Sequence, residues 1–176
     1  FGGMENPRLS FITPSILAGD QSLVSLIAHE LAHSWSGNMV SNKTWRDIWL
    51  NEGITSYLDS RLMEVLFGKD RADEERVLSY RELQQGLEEV SPAMQALAPR
   101  ERLDDPDESQ GSLHYHKGQL FLQHMENIFG RETFDPFLAA YFKYFEFQSI
   151  SSEQFLDYLE ENLLTKYPGK FSRQQA

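Results

Sequence analysis

The 176-residue chain contains no cysteine, which excludes disulfides and thiolate ligands to a metal ion. Basic residues are few, since 16 Lys and Arg stand against 27 Asp and Glu, giving a net charge of −11. No cluster of Lys and Arg of the kind that binds phosphates is present. No apolar run approaches the roughly 20 residues of a membrane span. We therefore expect neither a nucleic acid partner nor a membrane span.

The chain has enough apolar residues, 40% of the total, to bury a core at the length of one domain. It begins at Phe1 rather than Met, inside a pattern typical of a strand, and no basic-then-apolar leader opens it. We expect an excised piece of a longer protein, with the cytoplasm as the default compartment.

Periodicity predicts a mainly helical α+β fold, and we interpret residues 1–176 as one domain fragment in three parts. Residues 1–12 carry strand signals and form the end of a small sheet, residues 20–68 form a pair of helices, and residues 69–176 are the helical remainder. In the pair, the first helix is predicted from an N-cap at Asp20 or Ser22 to Gly37, and the second from Thr44 or Asp47 to Gly68. Residues 38–43 are predicted as a loop.

The remainder has a charged helical stretch over residues 69–98 that is interrupted at Ser91-Pro92, then a polar loop over residues 99–111. Three further helices are predicted over residues 113–129, 133–144 and 152–164. An aromatic run is predicted to pack between helices; its members are Tyr141, Phe142, Tyr144, Phe145 and Phe147.

The motif His29-Glu30-Leu31-Ala32-His33 is the most informative stretch of the chain. On a helix, residues four apart share one face, so His29 and His33 can present two imidazoles to one metal ion with Glu30 beside them as a base. Glu52 follows inside Trp49-Leu50-Asn51-Glu52-Gly53, and a second helix can return it as the third ligand. Two histidines and a glutamate leave one tetrahedral zinc position for water, which predicts a catalytic zinc site.

Two other features extend this prediction. Asp59 lies seven residues after Glu52 on the same helix face, where it can accept the outer N–H of a ligating histidine. In the opening Gly2-Gly3-Met4-Glu5-Asn6, glycines would let a strand lie close to an extended peptide, and Glu5 would offer a carboxylate to a substrate ammonium group.

These three motifs, in this order and spacing, resemble the gluzincin zinc aminopeptidase family, most closely the branch that contains leukotriene epoxide hydrolase and aminopeptidase B. The resemblance is dense over residues 1–68 and returns at Tyr115-His116-Lys117-Gly118. It implies a thermolysin-like catalytic domain and one zinc ion per chain. It also implies peptide substrates with a free amino terminus, and partner domains on both sides of this segment.

The resemblance also implies roles for two residues after the charged middle. Tyr115 matches a tyrosine that stabilises the oxyanion of the tetrahedral intermediate, and Asp107 matches an acid near the substrate path. Gln110 stands where the epoxide hydrolase has a second tyrosine. Two alternatives to the aminopeptidase remain, namely hydrolysis of a lipid epoxide, against which Gln110 counts, and a non-catalytic fragment that binds zinc without its partner domains.

Overall fold

The computed structural model describes residues 2–99 and 112–176, and this part of the chain is mostly helical, as predicted. Its α-helices are α1 (Val24–Ala32), α2 (Trp49–Phe67), α3 (Lys69–Glu89), α4 (Leu113–Phe129), α5 (Arg131–Tyr144) and α6 (Ser152–Leu159). The last continues as a π-helical turn over Glu160–Leu164. Its strands are β1 (Gly3–Met4), β2 (Phe11–Ile12), β3 (Val40–Asn42) and β4 (Gln148–Ile150). None of the described helices is long and apolar enough to cross a membrane.

The strand structure predicted within residues 1–12 is confirmed, as two short strands joined by a turn. β1 and β2 pair antiparallel, with Gly3 opposite Ile12 and Met4 opposite Phe11. The short connection between them includes Arg8 in the left-handed region, at φ +68°. This hairpin lies against α1 and brings the opening motif beside the histidines.

The first helix is shorter at both ends than predicted. Asp20 accepts hydrogen bonds from the backbone and hydroxyl of Ser22, so it stabilises a turn and not the start of α1. After Ala32 the chain folds back, and the backbone N–H of Asn38 donates a hydrogen bond to the backbone carbonyl of His33 at 3.0 Å. Gly37 permits this reversal because it adopts φ +113°, which residues with a Cβ rarely adopt.

The prediction of a loop over residues 38–43 is wrong, because β3 lies there and pairs in parallel with β4. Three residues are too few to show a strand period, and the pairing partner lies far along the chain. The second helix also begins later than predicted, at Trp49, after a 3₁₀ turn over Trp45–Asp47.

Later elements follow the prediction closely. α4 has the predicted bounds, α3 ends just before Ser91-Pro92, and α5 begins two residues early, directly after Gly130 at φ +78°. The predicted packing of the aromatic run is wrong for Phe147, which is 85% exposed. Tyr144 is 65% exposed, but its ring centroid lies 5.2 Å from that of Tyr158 on α6. The core lies between α2, α4, α5 and α6, and its fully buried large side chains include Ile54, Tyr57, Leu122, Met125, Phe134, Tyr141 and Phe155.

Candidate metal centre and substrate cleft

His29 and His33 at the end of α1 meet Glu52 from the first turn of α2. The Nε2 atoms of the two histidines are 3.1 Å apart. Oε2 of Glu52 lies 3.3 Å from Nε2 of His29 and 3.4 Å from Nε2 of His33. Three potential ligand atoms therefore converge on one point, as the sequence predicts.

The outer nitrogen of each imidazole is held by a hydrogen bond. Nδ1 of His29 lies 2.8 Å from Oδ2 of Asp59, the contact predicted from helical spacing. Nδ1 of His33 lies 2.9 Å from the carbonyl oxygen of Ser36 and 3.1 Å from the hydroxyl of Thr55. Protons on the two Nδ1 atoms donate to these acceptors, which leaves both Nε2 lone pairs for a metal ion.

Sequence reasoning missed Ser36 and Thr55. The spacing of Thr55, three residues after Glu52 on α2, could have identified it by the argument that identified Asp59. The carbonyl of Ser36 gave no signal, because its position depends on the reversal that follows α1.

The electrostatics of the cluster favour a positive charge between the carboxylates of Asp59 and Glu52. Burial lowers the pKa of His29, but hydrogen bonds to Asp59 and Glu52 outweigh burial and raise it to about 10. Burial likewise raises the pKa of Glu52, but hydrogen bonds from His29 and His33 outweigh it and lower the pKa to about 2. A site with this balance suits a cation, and its nitrogen and oxygen donors suit zinc.

Glu30 lies beside the three ligand atoms and is only 6% exposed. Burial raises the pKa of its carboxyl group. Its Oε2 atom has no hydrogen-bond partner among the described residues. Gly3 makes room for this side chain, since a Cβ at Gly3 would lie 2.0 Å from Oε1 of Glu30.

Glu5 faces the same site from the end of the hairpin. Its Oε1 accepts a hydrogen bond from the amide of Asn51 at 3.3 Å and lies 3.9 Å from Nδ1 of His33. The backbone carbonyl of Glu5 accepts a hydrogen bond from the side-chain amide of Asn38 at 2.8 Å. Sequence reasoning missed both asparagines, although Asn51 stands inside the motif that supplies Glu52.

Tyr115 lies in the first turn of α4 with its ring centroid 5.9 Å from that of His29. Burial and the neighbouring carboxylate of Glu52 raise the pKa of its hydroxyl. The other two residues that the resemblance singled out, Asp107 and Gln110, lie outside the described residues.

Most of these site residues line a cleft of about 810 Å³. The described residues that line it include Gly3, Met4 and Glu5 from the hairpin, the histidine pair with Glu30, Glu52, and Tyr115. Gly2, which was predicted to lie along the substrate, is not among them; a Cβ there would make an ordinary 3.7 Å contact with Leu26. Residues 42–46 and Ile48 also line the cleft. The cleft is large enough to admit several residues of an extended peptide.

Comparison with known sequences finds relatives over most of the chain. The sequence profile described as "Peptidase family M1 domain" matches residues 1–170. The chain is 39% identical over 163 residues to leucine aminopeptidase 2-1 of Meyerozyma guilliermondii, covering 90% of this chain and 26% of that protein. It is 42% identical over 165 residues to aminopeptidase B of Rattus norvegicus, covering 92% of this chain and 25% of that protein. The chain thus spans about a quarter of the length of these curated relatives.

Solved structures agree on the fold. Native leukotriene A4 hydrolase from Saccharomyces cerevisiae superposes with a TM-score of 0.87 at 39% identity, covering 95% of this chain and 27% of that one. An M1 zinc metallopeptidase from Deinococcus radiodurans shares the fold with a TM-score of 0.72 at 24% identity, covering 92% of this chain and 33% of that one. From the profile match over nearly its whole length and from these relatives, the chain belongs to peptidase family M1.

Proposed function

We propose that this chain carries the catalytic centre of a zinc-dependent aminopeptidase that removes the first residue from peptides. The observation that carries the proposal is the convergence of His29, His33 and Glu52 in a cleft that also contains Glu5. The ligand atoms suit a catalytic metal, and the nearby carboxylate suits a free amino terminus. Membership in peptidase family M1 and relatives that include aminopeptidases support the same function.

Zinc would be held by Nε2 of His29, Nε2 of His33 and the carboxylate of Glu52. When bound, it supplies Lewis acidity that polarises the scissile carbonyl and makes water a stronger nucleophile near neutral pH. Asp59 and the carbonyl of Ser36 would keep both imidazoles in the ligating tautomer.

Glu30 would act as the general base. One of its carboxylate oxygens has no hydrogen-bond partner among the described residues and so can accept a proton from the attacking water. The raised pKa of this group suits it for passing the proton on to the nitrogen of the leaving amine.

Tyr115 would stabilise the transition state. Its hydroxyl remains protonated at neutral pH, because burial and the carboxylate of Glu52 raise its pKa. A protonated phenol can donate a hydrogen bond to the oxyanion that forms on the substrate carbonyl, which for comparable donors contributes roughly 3 to 4 kcal/mol.

Glu5 would select substrates with a free amino terminus. Its side chain is held by Asn51 at the edge of the site, where a carboxylate can pair with the α-ammonium group. Placing that group a fixed distance from the scissile bond restricts cleavage to the first residue.

The test measures zinc content by elemental analysis and turnover of leucyl and arginyl anilides in the intact protein. We expect about one zinc per chain, and Glu30→Gln should retain zinc but lose nearly all turnover. Glu132→Gln, at an exposed carboxylate on α5, is the matched control and should match the unmodified protein. Absence of zinc after reconstitution, or full activity of Glu30→Gln, would overturn the proposal.

A second candidate is hydrolysis of a lipid epoxide, favoured by the similarity to leukotriene A4 hydrolase of Saccharomyces cerevisiae. Offering a lipid epoxide to the intact protein in parallel with the anilides distinguishes the two activities. Hydrolysis of the epoxide without release of amino acids would favour this candidate. Zinc binding with neither activity would instead favour a non-catalytic role.

A further inference from the structure

Helices α2 and α4 cross at a pair of glycines, Gly53 and Gly118. A Cβ built on Gly53 would lie 2.7 Å from the Cα of Gly118 and 2.9 Å from the carbonyl oxygen of His114. A Cβ built on Gly118 would lie 2.7 Å from the Cα of Gly53. The two backbones therefore touch without any side chain between them.

The atoms that meet here belong to the backbones of two helices, so no flexible side chain can move aside. A methyl group at either glycine must push the helices apart by several tenths of an ångström. Gly86 on α3 offers a contrast, because a Cβ there would make only an ordinary 3.9 Å contact with Leu113.

This crossing lies beside the two groups whose separation matters for the proposed reaction. Gly53 directly follows Glu52 on α2, and Gly118 lies one helical turn after Tyr115 on α4. His114, whose carbonyl also touches the crossing, precedes Tyr115. The closeness of the two backbones thus determines how near the phenol of Tyr115 lies to Glu52 and to the ring of His29.

We infer that Gly118, together with Gly53, is a positioning residue that holds Tyr115 at the correct distance from the metal centre. The kinetic part of this inference rests on the proposed function. A displacement of about 1 Å at a reacting group can lower a rate roughly 100-fold. Gly118→Ala should therefore lower kcat roughly 10- to 100-fold with KM and zinc content nearly unchanged.

The first measurement is independent of activity. 3-Fluorotyrosine incorporated at position 115 reports its surroundings by ¹⁹F NMR, because its ring lies 5.9 Å from that of His29 on a different helix. Gly118→Ala should move this resonance, and the control Gly86→Ala should leave it in place. An unchanged resonance in a folded Gly118→Ala protein would overturn the inference even if the intact protein hydrolyses no peptide.

The second measurement asks whether Gly118 acts through Tyr115. In a Tyr115→Phe background, Gly118→Ala should cause little further loss of kcat, because the group that it positions is already gone. An equal loss in both backgrounds would show that Gly118 acts by another route. If Gly118→Ala does not fold, Gly53→Ala tests the same contact from α2. If neither variant folds, the glycine pair is needed for folding itself and the positioning role is overturned.

Discussion

Each imidazole of the candidate metal centre is held through its outer nitrogen, but by acceptors of different kinds. His29 bonds to the carboxylate of Asp59, and His33 bonds to the backbone carbonyl of Ser36. The carboxylate of Asp59 adds negative charge and can be removed by substitution. The carbonyl at position 36 belongs to the backbone, so no substitution removes it. At the scale of single residues, Asp59 is therefore a charged side chain through which metal affinity can be changed without altering a ligand.

Asp59→Asn should weaken zinc binding roughly 10- to 100-fold. The amide preserves the volume and one acceptor but removes the charge that makes His29 a stronger ligand. Zinc affinity measured by competition with a chelator tests this. Asp70→Asn, at an exposed acid on α3, should leave the affinity unchanged. Equal affinities for both variants would contradict a role for Asp59 in holding His29.

Glu5→Gln should raise KM for aminoacyl anilides roughly 10- to 150-fold, the range of a hydrogen bond to a charged group. The physical reason is loss of the carboxylate that pairs with the α-ammonium group, while the groups proposed for chemistry remain. Steady-state kinetics with Glu132→Gln as control measures the effect. An unchanged KM, or a loss confined to kcat, would exclude the role of Glu5 as amine anchor.

At the scale of elements, Asp47 joins the starts of two helices. Its Oδ1 accepts hydrogen bonds from the backbone amide and the hydroxyl of Ser152, both at 2.8 Å, at the first turn of α6. The same hydroxyl accepts from the indole of Trp49 at the start of α2, also at 2.8 Å. Asp47 is 2% exposed, so these bonds tie α6 to the helix that carries Glu52.

Asp47→Ala should lower the free energy of unfolding by roughly 2 to 4 kcal/mol, because it leaves two buried donors of Ser152 without their acceptor. Urea denaturation followed by circular dichroism measures the change. Ser151→Ala, which removes the capping box at the same helix end, should cost about 1 kcal/mol. A smaller effect of Asp47→Ala than of Ser151→Ala would contradict this account.

At the scale of the whole molecule, a network of ion pairs connects four helices on one side. Glu64 of α2 pairs with Arg76 of α3 at 2.9 Å and with Arg131 of α5 at 2.7 Å. Arg131 also contacts Glu126 of α4 at 2.9 Å. Hydrogen bonds from Arg131 and then Arg76 lower the pKa of Glu64 to about 2. The two ion pairs made by Glu64 therefore contribute to stability only while Glu64 is ionised.

The sign of the pH dependence follows from the lowered pKa. Glu64 contributes its full stabilisation above its ordinary pKa of 4.5, and this is lost as the pH falls toward about 2. Glu64→Gln should therefore be less stable than the unmodified protein at pH 7, with a difference that shrinks as the pH approaches 2. Urea denaturation of both proteins across this range tests the prediction, and a difference independent of pH would contradict it.

Local chemistry of the chain determined most helices and the candidate metal ligands. α4 has its predicted bounds because its apolar residues recur at helical spacing and Gly130 follows it. The spacing of four residues places His29 and His33 on one face of the helix, and their Nε2 atoms lie 3.1 Å apart. Asp59 follows from the same periodicity on α2, and these inferences need only residues close together in sequence.

Only the tertiary structure decided the contacts between distant segments. The pairing of β3 with β4, the bond between Asn51 and Glu5, and the attachment of Asp47 to α6 join residues that no local pattern relates. The meeting of Gly53 with Gly118 is of the same kind, since a glycine inside a helix predicts no partner. Periodicity specifies which face of an element is buried, whereas packing of whole elements specifies which atoms meet there, and the geometry of the cleft depends on that second step.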